Sequence, residues 1–600
     1  MSDESPLDWT ADGQPRSRRF GDVYFSREDG LAETRAVFLD GCGLPQAWAG
    51  RTRFVVGELG FGTGLNILAL LDLWRRTRPA DARLHVFSIE AFPVPVADAA
   101  RALGRWPQLA EVAAPLLAGW PGRARGLHRV ELPQFAAVLD LAVLDVAEAL
   151  QGWEGRADAW FLDGFAPALN PAMWSDEVLA LVGARSAPGA RAATFTVAGQ
   201  ARRGLAAAGF EVAKRPGFGR KRERLEATWP GCAPADAPPP AVAVVGAGIA
   251  GASAVRALRA LGVEPLLFEA TAPGAGASGN PVALVTPRLD AGLGPPARLF
   301  AQAFSRAVGL YQAIPQAVVA AGVLQLEAAP RDGPRFAKIA AADLFEPGAL
   351  APVDAAQASL RLGEPAPAAL DQAAALTVDP AVILRAWAPD ALPGRVARLV
   401  REGAAWRLLD AKGETLATVE AVIVAAGLAS AALAPQLPLR GVRGQASWAA
   451  LDSPPPAAAW GGYAAPMAGG VLFGATHDRD DLGTEVREAD HARNLATLAG
   501  RLPALAARLA GRPLQGRAGV RATTPDRLPL AGRQGDLLVL TGLGSRGFSL
   551  APLLGEHVAA LAIGAPSPLP TSLARLVDPA RTEGMGAVLR AREETTREDP

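Results

Sequence analysis

Two nucleotide-binding turns with different glycine spacings lie in one chain. Glu58-Leu59-Gly60-Phe61-Gly62-Thr63-Gly64 reads E-x-G-x-G-x-G, whereas Gly246-Ala247-Gly248-Ile249-Ala250-Gly251 reads G-x-G-x-x-G. Each follows an apolar run (Phe54-Val55-Val56; Val242-Ala243-Val244-Val245) and precedes a helix-compatible segment. That is the strand–turn–helix setting such turns require. The second spacing suits a pyrophosphate resting on a helix N-terminus. The first opens with an acid and suits S-adenosylmethionine, which has no phosphate but carries an amino group. Two different cofactors imply two units joined in one polypeptide.

The 600 residues allow several domains, each large enough to bury a core. Half the residues are hydrophobic and 20% are charged, which excludes a disordered chain. Sixty basic residues balance sixty acidic ones, so no global charge draws the chain to nucleic acid, and any such site must come from local clustering. Two cysteines, Cys42 and Cys232, lie far apart without C-x-x-C spacing, against a disulfide framework or structural zinc. The five histidines (His85, His128, His477, His491 and His557) lack ligand spacing, so no metal is assigned. The acidic start, Met1–Pro6, is unlike a signal peptide. The uncharged stretch 421–439 is interrupted by glycine, proline and glutamine and does not read as a membrane span. A cytoplasmic protein is expected.

The proline-rich stretch 231–240 cannot continue a helix or a central strand and reads as a semi-rigid linker. It separates a domain at 1–230 from one at 241–600. In the first, strands are expected at 53–57, 84–89, 139–144, 158–163 and 191–197, with helical stretches between them. That alternation predicts an α/β, Rossmann-like, doubly wound parallel sheet. In the second, 242–245, 264–268, 421–426 and 536–541 read as strands of a dinucleotide-binding sheet. The region 290–515 is expected to hold a mixed or antiparallel substrate-binding sheet. The tail at 590–600 is expected to fray.

In the first half, Gly60, Gly62 and Gly64 make the turn that Glu58 opens. Glu90, closing Ser88-Ile89-Glu90, stands where Rossmann-type sheets grip ribose hydroxyls. Asp145 follows a later apolar run, where it can reach an adenine amino group. Asp163, in Asp158-Ala159-Trp160-Phe161-Leu162-Asp163-Gly164-Phe165-Ala166-Pro167, leaves the C-terminal edge of a strand flanked by aromatics. Methyl transfer to an amine needs the amine neutral, and a desolvated carboxylate is apt to take its proton. A helix-capping turn aspartate is the alternative at Asp163; Asp158 reads as structural. Lys214 to Arg224, including Arg220, Lys221 and Arg222, is the densest basic cluster. Its interleaved Gly and Phe suit phosphates and a stacked base, or else a solvated loop.

In the second half, Gly246, Gly248 and Gly251 form the turn. Glu269 lies 23 residues beyond Gly246, placing an acid on a ribose 2′-hydroxyl. This much fits FAD or NAD equally. The loop Gly274–Asn280, with Ser278 and Asn280, soon follows the acid and favours FAD, along whose extended body such a loop lies. Gly544, Arg546 and Gly547 open a helix whose backbone N–H groups can hold negative charge on a reduced flavin. Arg521 precedes them and can clamp a substrate carboxylate in bidentate fashion, unless it forms a surface salt bridge. Arg443 and Arg546 are alternatives for that role.

Together these residues resemble the MnmC family of bacterial bifunctional tRNA-modifying enzymes. The resemblance rests on Glu58–Asn66, Asp158–Pro167 and Gly217–Glu223 in the first half. In the second it rests on Val245–Gly251, Gly276–Asn280, Arg443-Gly444-Gln445 and Gly542–Gly547. It implies an FAD-dependent half of the D-amino-acid/glycine oxidase group that removes the carboxymethyl group from 5-carboxymethylaminomethyl-(2-thio)uridine at the tRNA wobble position. It further implies a methyltransferase half that converts the remaining amine to methylamine with S-adenosylmethionine. The family's general base falls on Asp163. The tRNA substrate, and Arg220, Lys221, Arg222 and Arg443 as its contacts, come from the resemblance together with the basic cluster. A small-molecule amino-acid or sarcosine-type oxidase fused to a small-molecule methyltransferase is the runner-up; a non-enzymatic tRNA-binding scaffold is a third reading.

Overall fold

The computed structural model describes residues 5–26, 28–219, 221–232 and 237–583. The chain forms two compact units. One holds the residues up to Pro239 together with Pro566–Thr571; the other holds Pro240–Ala565 together with the chain from Ser572. Part of the proline-rich stretch (233–236), Arg220 and the tail at 590–600 lie outside the described residues. The segment 566–571, expected in the second domain, packs with the first unit. Arg129 Nη2 donates to Pro566 O at 3.2 Å, and Thr571 Oγ1 donates to Gly152 O at 3.0 Å.

The first unit is built on eight strands: β1 (Arg53–Leu59), β2 (Arg83–Ile89), β3 (Gly126–Leu132), β4 (Ala137–Val143), β5 (Ala157–Leu162), β6 (Ser186–Thr194), β7 (Glu211–Pro216) and β8 (Glu223–Thr228). Their spatial order is β3-β4-β2-β1-β5-β6-β8-β7. The central five, β4 to β6 in that order, are parallel. The sheet is not wholly parallel as expected: β3 runs antiparallel to β4, and the β7–β8 hairpin is antiparallel to β6. These edge strands carry polar, alternating sequences, because only the central strands are covered on both faces. In β1, Phe54 and Val56 belong to the core on one face, Val55 and Leu59 to the core on the other. Helix α1 (Leu65–Thr77) follows β1 and buries Ile67, Leu68, Leu70, Leu71 and Trp74 against the sheet.

The second unit has a cofactor-type sheet of β9 (Val242–Val245), β10 (Leu266–Glu269), β11 (Leu392–Pro393), β12 (Ala421–Val424), β13 (Leu530–Gln534) and β14 (Leu537–Thr541). The order is β11-β10-β9-β12-β14-β13, parallel except for the β13–β14 hairpin. Helix α2 (Ile249–Ala260) leaves β9, and α3 (Gly547–Ile563) leaves β14 after a short 3₁₀ turn. The two helices meet where a side chain on Gly555 would press on the Ser253 and Ala254 backbone, at 2.7 and 2.9 Å. A ten-stranded mixed sheet carries the long antiparallel pair Arg440–Ala450 and Gln515–Thr523. It is not confined to 290–515. It begins at Ala283–Val285 and reaches Thr523, and the chain returns between its halves to supply β11, β12 and a separate three-stranded sheet.

Candidate active sites

In the first unit, every candidate acid except Glu58 sits at the C-terminal edge of the parallel strands. There open α/β sheets bind ligands, because the chain turns away and leaves a crevice. After β1 the backbone passes through Gly60, Gly62 and Gly64 at φ +87°, +53° and +79°, conformations that only glycine adopts without strain. A Cβ on Gly60 would lie 2.7 Å from Asp163 O, so the missing side chain lets this turn lie against the Asp163 loop. Glu90, just past β2, accepts from Gly62 N at 3.0 Å and Phe92 N at 2.9 Å, fixing the turn to the neighbouring strand end.

Glu58 lies inside β1, fully buried. Ser88 Oγ donates to its Oε2 at 2.5 Å, while Oε1 has no partner. Burial pushes its carboxyl up to about 8, against the opposing pull of the Ser88 hydrogen bond. An orphaned buried carboxyl oxygen below a glycine turn fits a ligand ammonium, as the S-adenosylmethionine expectation requires.

Asp163 directly follows β5. Asn66 Nδ2 donates to its Oδ2 at 2.8 Å, and Gly164 N to its Oδ1 at 3.0 Å. Thr34 Oγ1 donates to Asn66 Oδ1 at 2.8 Å, which aims the amide's NH₂ at the acid. Burial raises the Asp163 carboxyl to about 7; the Asn66 hydrogen bond resists and the charge of Glu33 adds to the rise. Its aromatic surroundings differ from expectation. Trp160 and Phe161 are core residues of β5, and the rings near the loop are Phe165 with Phe20 (5.0 Å) and Tyr24 (5.3 Å). Asn66, within the glycine motif, is the member of this network to which the sequence attached no role.

Asp145 stands just beyond β4 and caps the helix Val146–Gly152, accepting from Ala147 N at 3.0 Å. Asp158 is structural, accepting from Val55 N at 2.8 Å and pairing with Arg51 at 3.3 Å. The basic cluster is the β7–β8 hairpin, and much of its charge is compensated. Lys214 pairs with Glu223 at 2.8 Å, Arg224 with Glu226 at 2.7 Å, and Lys221 with Glu33 at 3.0 Å beneath the Phe195 ring. Arg222 is exposed. Among its described residues the cluster is thus laced by ion pairs, from Glu223 across the hairpin, from Glu226 on the same strand as Arg224 and from Glu33 elsewhere in the unit.

In the second unit a single cavity of about 890 Å³ gathers Gly246, Gly248, Glu269, Ser278, Asn280, Arg521, Gly544, Arg546 and Gly547 in its walls. Gly246 has φ +105°, and a Cβ there would lie 2.7 Å from Ala425 O. A Cβ on Gly248 meets nothing within 4 Å but Ser278 Oγ, at 3.2 Å, so a larger side chain there would fill the cradle itself. Gly251 lies in the first turn of α2, where a Cβ would collide with Gly246 O. Glu269 accepts from Ala247 N at 2.8 Å and Thr271 N at 3.0 Å, which holds it at the end of β10. Ile249 N donates to Ser278 Oγ at 3.0 Å, tying the α2 N-terminus to the Ser278 loop. At the far wall, α3 starts without a side-chain cap, leaving backbone N–H groups available to an anion. The cradle fits FAD.

Arg521 projects from the strand Gln515–Thr523 into this cavity. Its guanidinium donates to Thr476 O at 3.3 Å and reaches His477 Nδ1 at 3.5 Å, with no carboxylate in ion-pair contact among the described residues. Burial lowers its affinity for a proton. A side chain at Gly444 would collide with Arg521 Nη2, so the glycine of the Arg443-Gly444-Gln445 motif makes room for it. Arg443 itself is a correction. Fully buried, it binds Asp490 at 2.5 Å and donates to Gly483 O, Glu485 O and Gln445 Oε1. Its N–H groups are spent inside the fold, so it holds no substrate. Arg546 donates to Thr286 Oγ1 at 2.9 Å while lining the cavity. The cavity also presents Tyr463 and His477. Both escaped the sequence reading, since a lone Tyr or His carries no spacing signal.

Residues 107–230 match the S-adenosyl-L-methionine-dependent methyltransferases, and residues 241–561 match the FAD dependent oxidoreductases. The chain is 62% identical to the tRNA 5-methylaminomethyl-2-thiouridine biosynthesis bifunctional protein MnmC of Caulobacter vibrioides, over 96% of this chain and 97% of that one. It is 59% identical to the protein of the same name from Caulobacter sp. (strain K31), over 97% and 98%. Among solved structures, an iminodiacetate oxidase from Chelativorans sp. BNC1 is similar at 22% identity and a TM-score of 0.47, covering 56% of this chain and 98% of that one. Two cofactor-binding units in this order, matched from end to end by such relatives, mean that the chain belongs to the MnmC family of bifunctional enzymes.

Proposed function

We propose that the second unit oxidises the carboxymethylaminomethyl side chain of a tRNA wobble uridine, and that the first unit methylates the amine left behind. The relatives' name supplies the product, 5-methylaminomethyl-2-thiouridine in tRNA. The observation that carries the reading is the contrast in charge between the two sites: an uncompensated guanidinium in one, a near-neutral carboxyl in the other.

The Gly246–Gly251 turn, Glu269 and the Ser278 loop would hold FAD, which would supply the hydride acceptor for the glycyl CH₂ of the substrate. Arg521 grips the adjacent carboxylate and so holds that carbon in place; the carboxylate is what distinguishes substrate from product. His477 is kept neutral below its ordinary value, by burial first and then by Arg521 and Arg479. As a neutral imidazole beside Arg521 it is placed to take the proton from the substrate nitrogen. Loss of hydride and proton leaves a C=N bond. Water adds to it, the C–N bond breaks, and glyoxylate departs from the aminomethyl-uridine.

S-adenosylmethionine, when bound, supplies the methyl group. Glu58 would hold its ammonium, Glu90 its ribose hydroxyls and Asp145 its adenine amino group. Asp163 takes the proton that the substrate amine must shed to become nucleophilic, and Asn66 keeps the carboxylate pointed at that amine. Arg222 and Lys221 lie on the adjoining hairpin as RNA contacts, with the cytoplasm as the site of reaction.

The test is tRNA carrying carboxymethylaminomethyl-uridine, treated with the purified protein without S-adenosylmethionine and then with it. Aminomethyl-uridine and glyoxylate should form first, and methylaminomethyl-uridine only after the addition. Flavin reduction by free sarcosine or glycine, with the tRNA untouched, would instead favour the small-molecule reading.

A further inference from the structure

A second cavity of about 510 Å³ in the oxidase unit shares His477 and Gly542–Arg546 with the cofactor cavity. Its walls carry Arg288, Arg440, Arg479, Arg527 and Arg546, against one carboxylate, the exposed Asp480. None of the five arginines has a carboxylate within ion-pair distance among the described residues. This contrasts with the β7–β8 hairpin, where acids neutralise most of the basic side chains. Five guanidiniums around one hollow repel one another, and a fold keeps them there only if something anionic compensates them.

From this we infer that the second cavity seats the phosphodiester backbone of the RNA strand next to the base being oxidised. The inference rests on the function proposed above and deepens it. With the modified side chain in the cofactor cavity, the adjoining ribose-phosphates reach a hollow that shares its Gly542–Arg546 wall. Guanidinium forks match phosphate oxygens bidentately, and single-stranded loops present their backbone once the base is splayed out.

Two further observations agree. Arg527 and Asp480 both adopt left-handed backbone, at φ +60° and +61°, a cost that non-glycine residues bear mainly where function fixes their placement. Arg546 is lowered to about 10, by burial and then by Arg288, as expected for cations facing each other without an anion. Arg440, Arg479 and Arg527 are exposed at the rim, where an incoming strand can meet them.

The experiment compares the FAD-loaded protein with its Arg288→Gln/Arg440→Gln variant, which spares the arginines that act on His477, on two probes. One is an anticodon stem-loop RNA bearing the modified uridine; the other is the phosphate-free modified nucleoside. RNA binding is followed by fluorescence anisotropy across a salt series, and oxidation of both probes by flavin reduction. The variant should bind RNA at least ~10-fold more weakly, with a log Kd–log[salt] slope shallower by about 0.7 per arginine lost. Its flavin content and nucleoside oxidation should match the parent. Unchanged RNA affinity and salt slope would overturn the inference, as would equal losses on RNA and nucleoside. The binding arm decides this even if the parent oxidises neither probe, an outcome that would sink the proposed function instead.

Discussion

The methyl-transfer site and the oxidase cavity solve opposite electrostatic problems with the same architectural device, a glycine turn between a strand and a helix. In the first unit, acids converge on the turn and burial raises three of them, Glu58, Glu90 and Asp163. In the second, arginines converge and outnumber the acids of the cavity walls, Glu269 and Asp480. Burial acts on both in the same sense, disfavouring charge, so each site is poised for a ligand of opposite sign. In the proposed function the first receives an ammonium and a proton-shedding amine, and the second a carboxylate.

The largest effect should come from an arginine that serves only the fold. Arg443→Met takes the nearest cation from buried Asp490 and leaves it only the half-exposed Arg493 at 3.1 Å, and breaking such a buried pair costs up to about 3–5 kcal/mol. The oxidase unit should melt at a markedly lower temperature and lose its flavin on purification. A stable, yellow variant would mean that Arg443 is not the internal strut its contacts indicate.

Arg521→Met removes the cation that faces substrate. Leaving a buried carboxylate unpaired costs about 2–5 kcal/mol, so kcat/KM for oxidation should fall by orders of magnitude. Melting temperature, flavin content and methyl transfer should stay near those of the parent. Steady-state kinetics that left the oxidation unaffected would remove Arg521 from this role and turn attention to Arg546.

Asp163→Asn should keep S-adenosylmethionine affinity yet slow methyl transfer on the order of 10²-fold or more, since an amide cannot accept the amine's proton. In the parent, the active form is the carboxylate and its proton is held up to about pH 7. Methyl transfer should therefore fall as pH drops below 7, and the Asn variant should lose that limb. A pH profile identical in parent and variant would assign Asp163 to the turn alone.

Glu58 gives the smallest effect. Without ligand it keeps its proton up to about pH 8. An arriving ammonium favours the carboxylate, so binding expels a proton and affinity should rise with pH between about 6 and 8, by at most tenfold per unit. Calorimetry in buffers of different ionisation enthalpy reads the released proton. A pH-independent affinity without proton release would place the amino group elsewhere.

The central strands and both glycine turns were legible because they rest on local chemistry. Fully buried parallel strands read as apolar runs, and left-handed turns demand glycine at fixed offsets. What escaped depends on partners distant in sequence. The motif containing Arg443 and Gly444 was visible, but only the strand pairing shows that the arginine points into the fold while the glycine clears space for Arg521. The basic run at 214–224 is legible as a run, but its pairing with Glu33, Glu223 and Glu226 is not. The arginines of the second cavity were invisible for the same reason. They come from separate segments between 288 and 546, and none forms a run.

The separateness of the two chemistries is tested most directly by Gly248→Val. Its Cβ position is open apart from Ser278 Oγ, so the fold should survive while the side chain occupies the place of the cofactor. The measurement is methyl transfer to tRNA carrying aminomethyl-uridine, alongside the visible absorption spectrum of the same preparation. The account predicts a colourless protein that methylates at the parent rate. A folded variant that lost methyl transfer together with its flavin would contradict it.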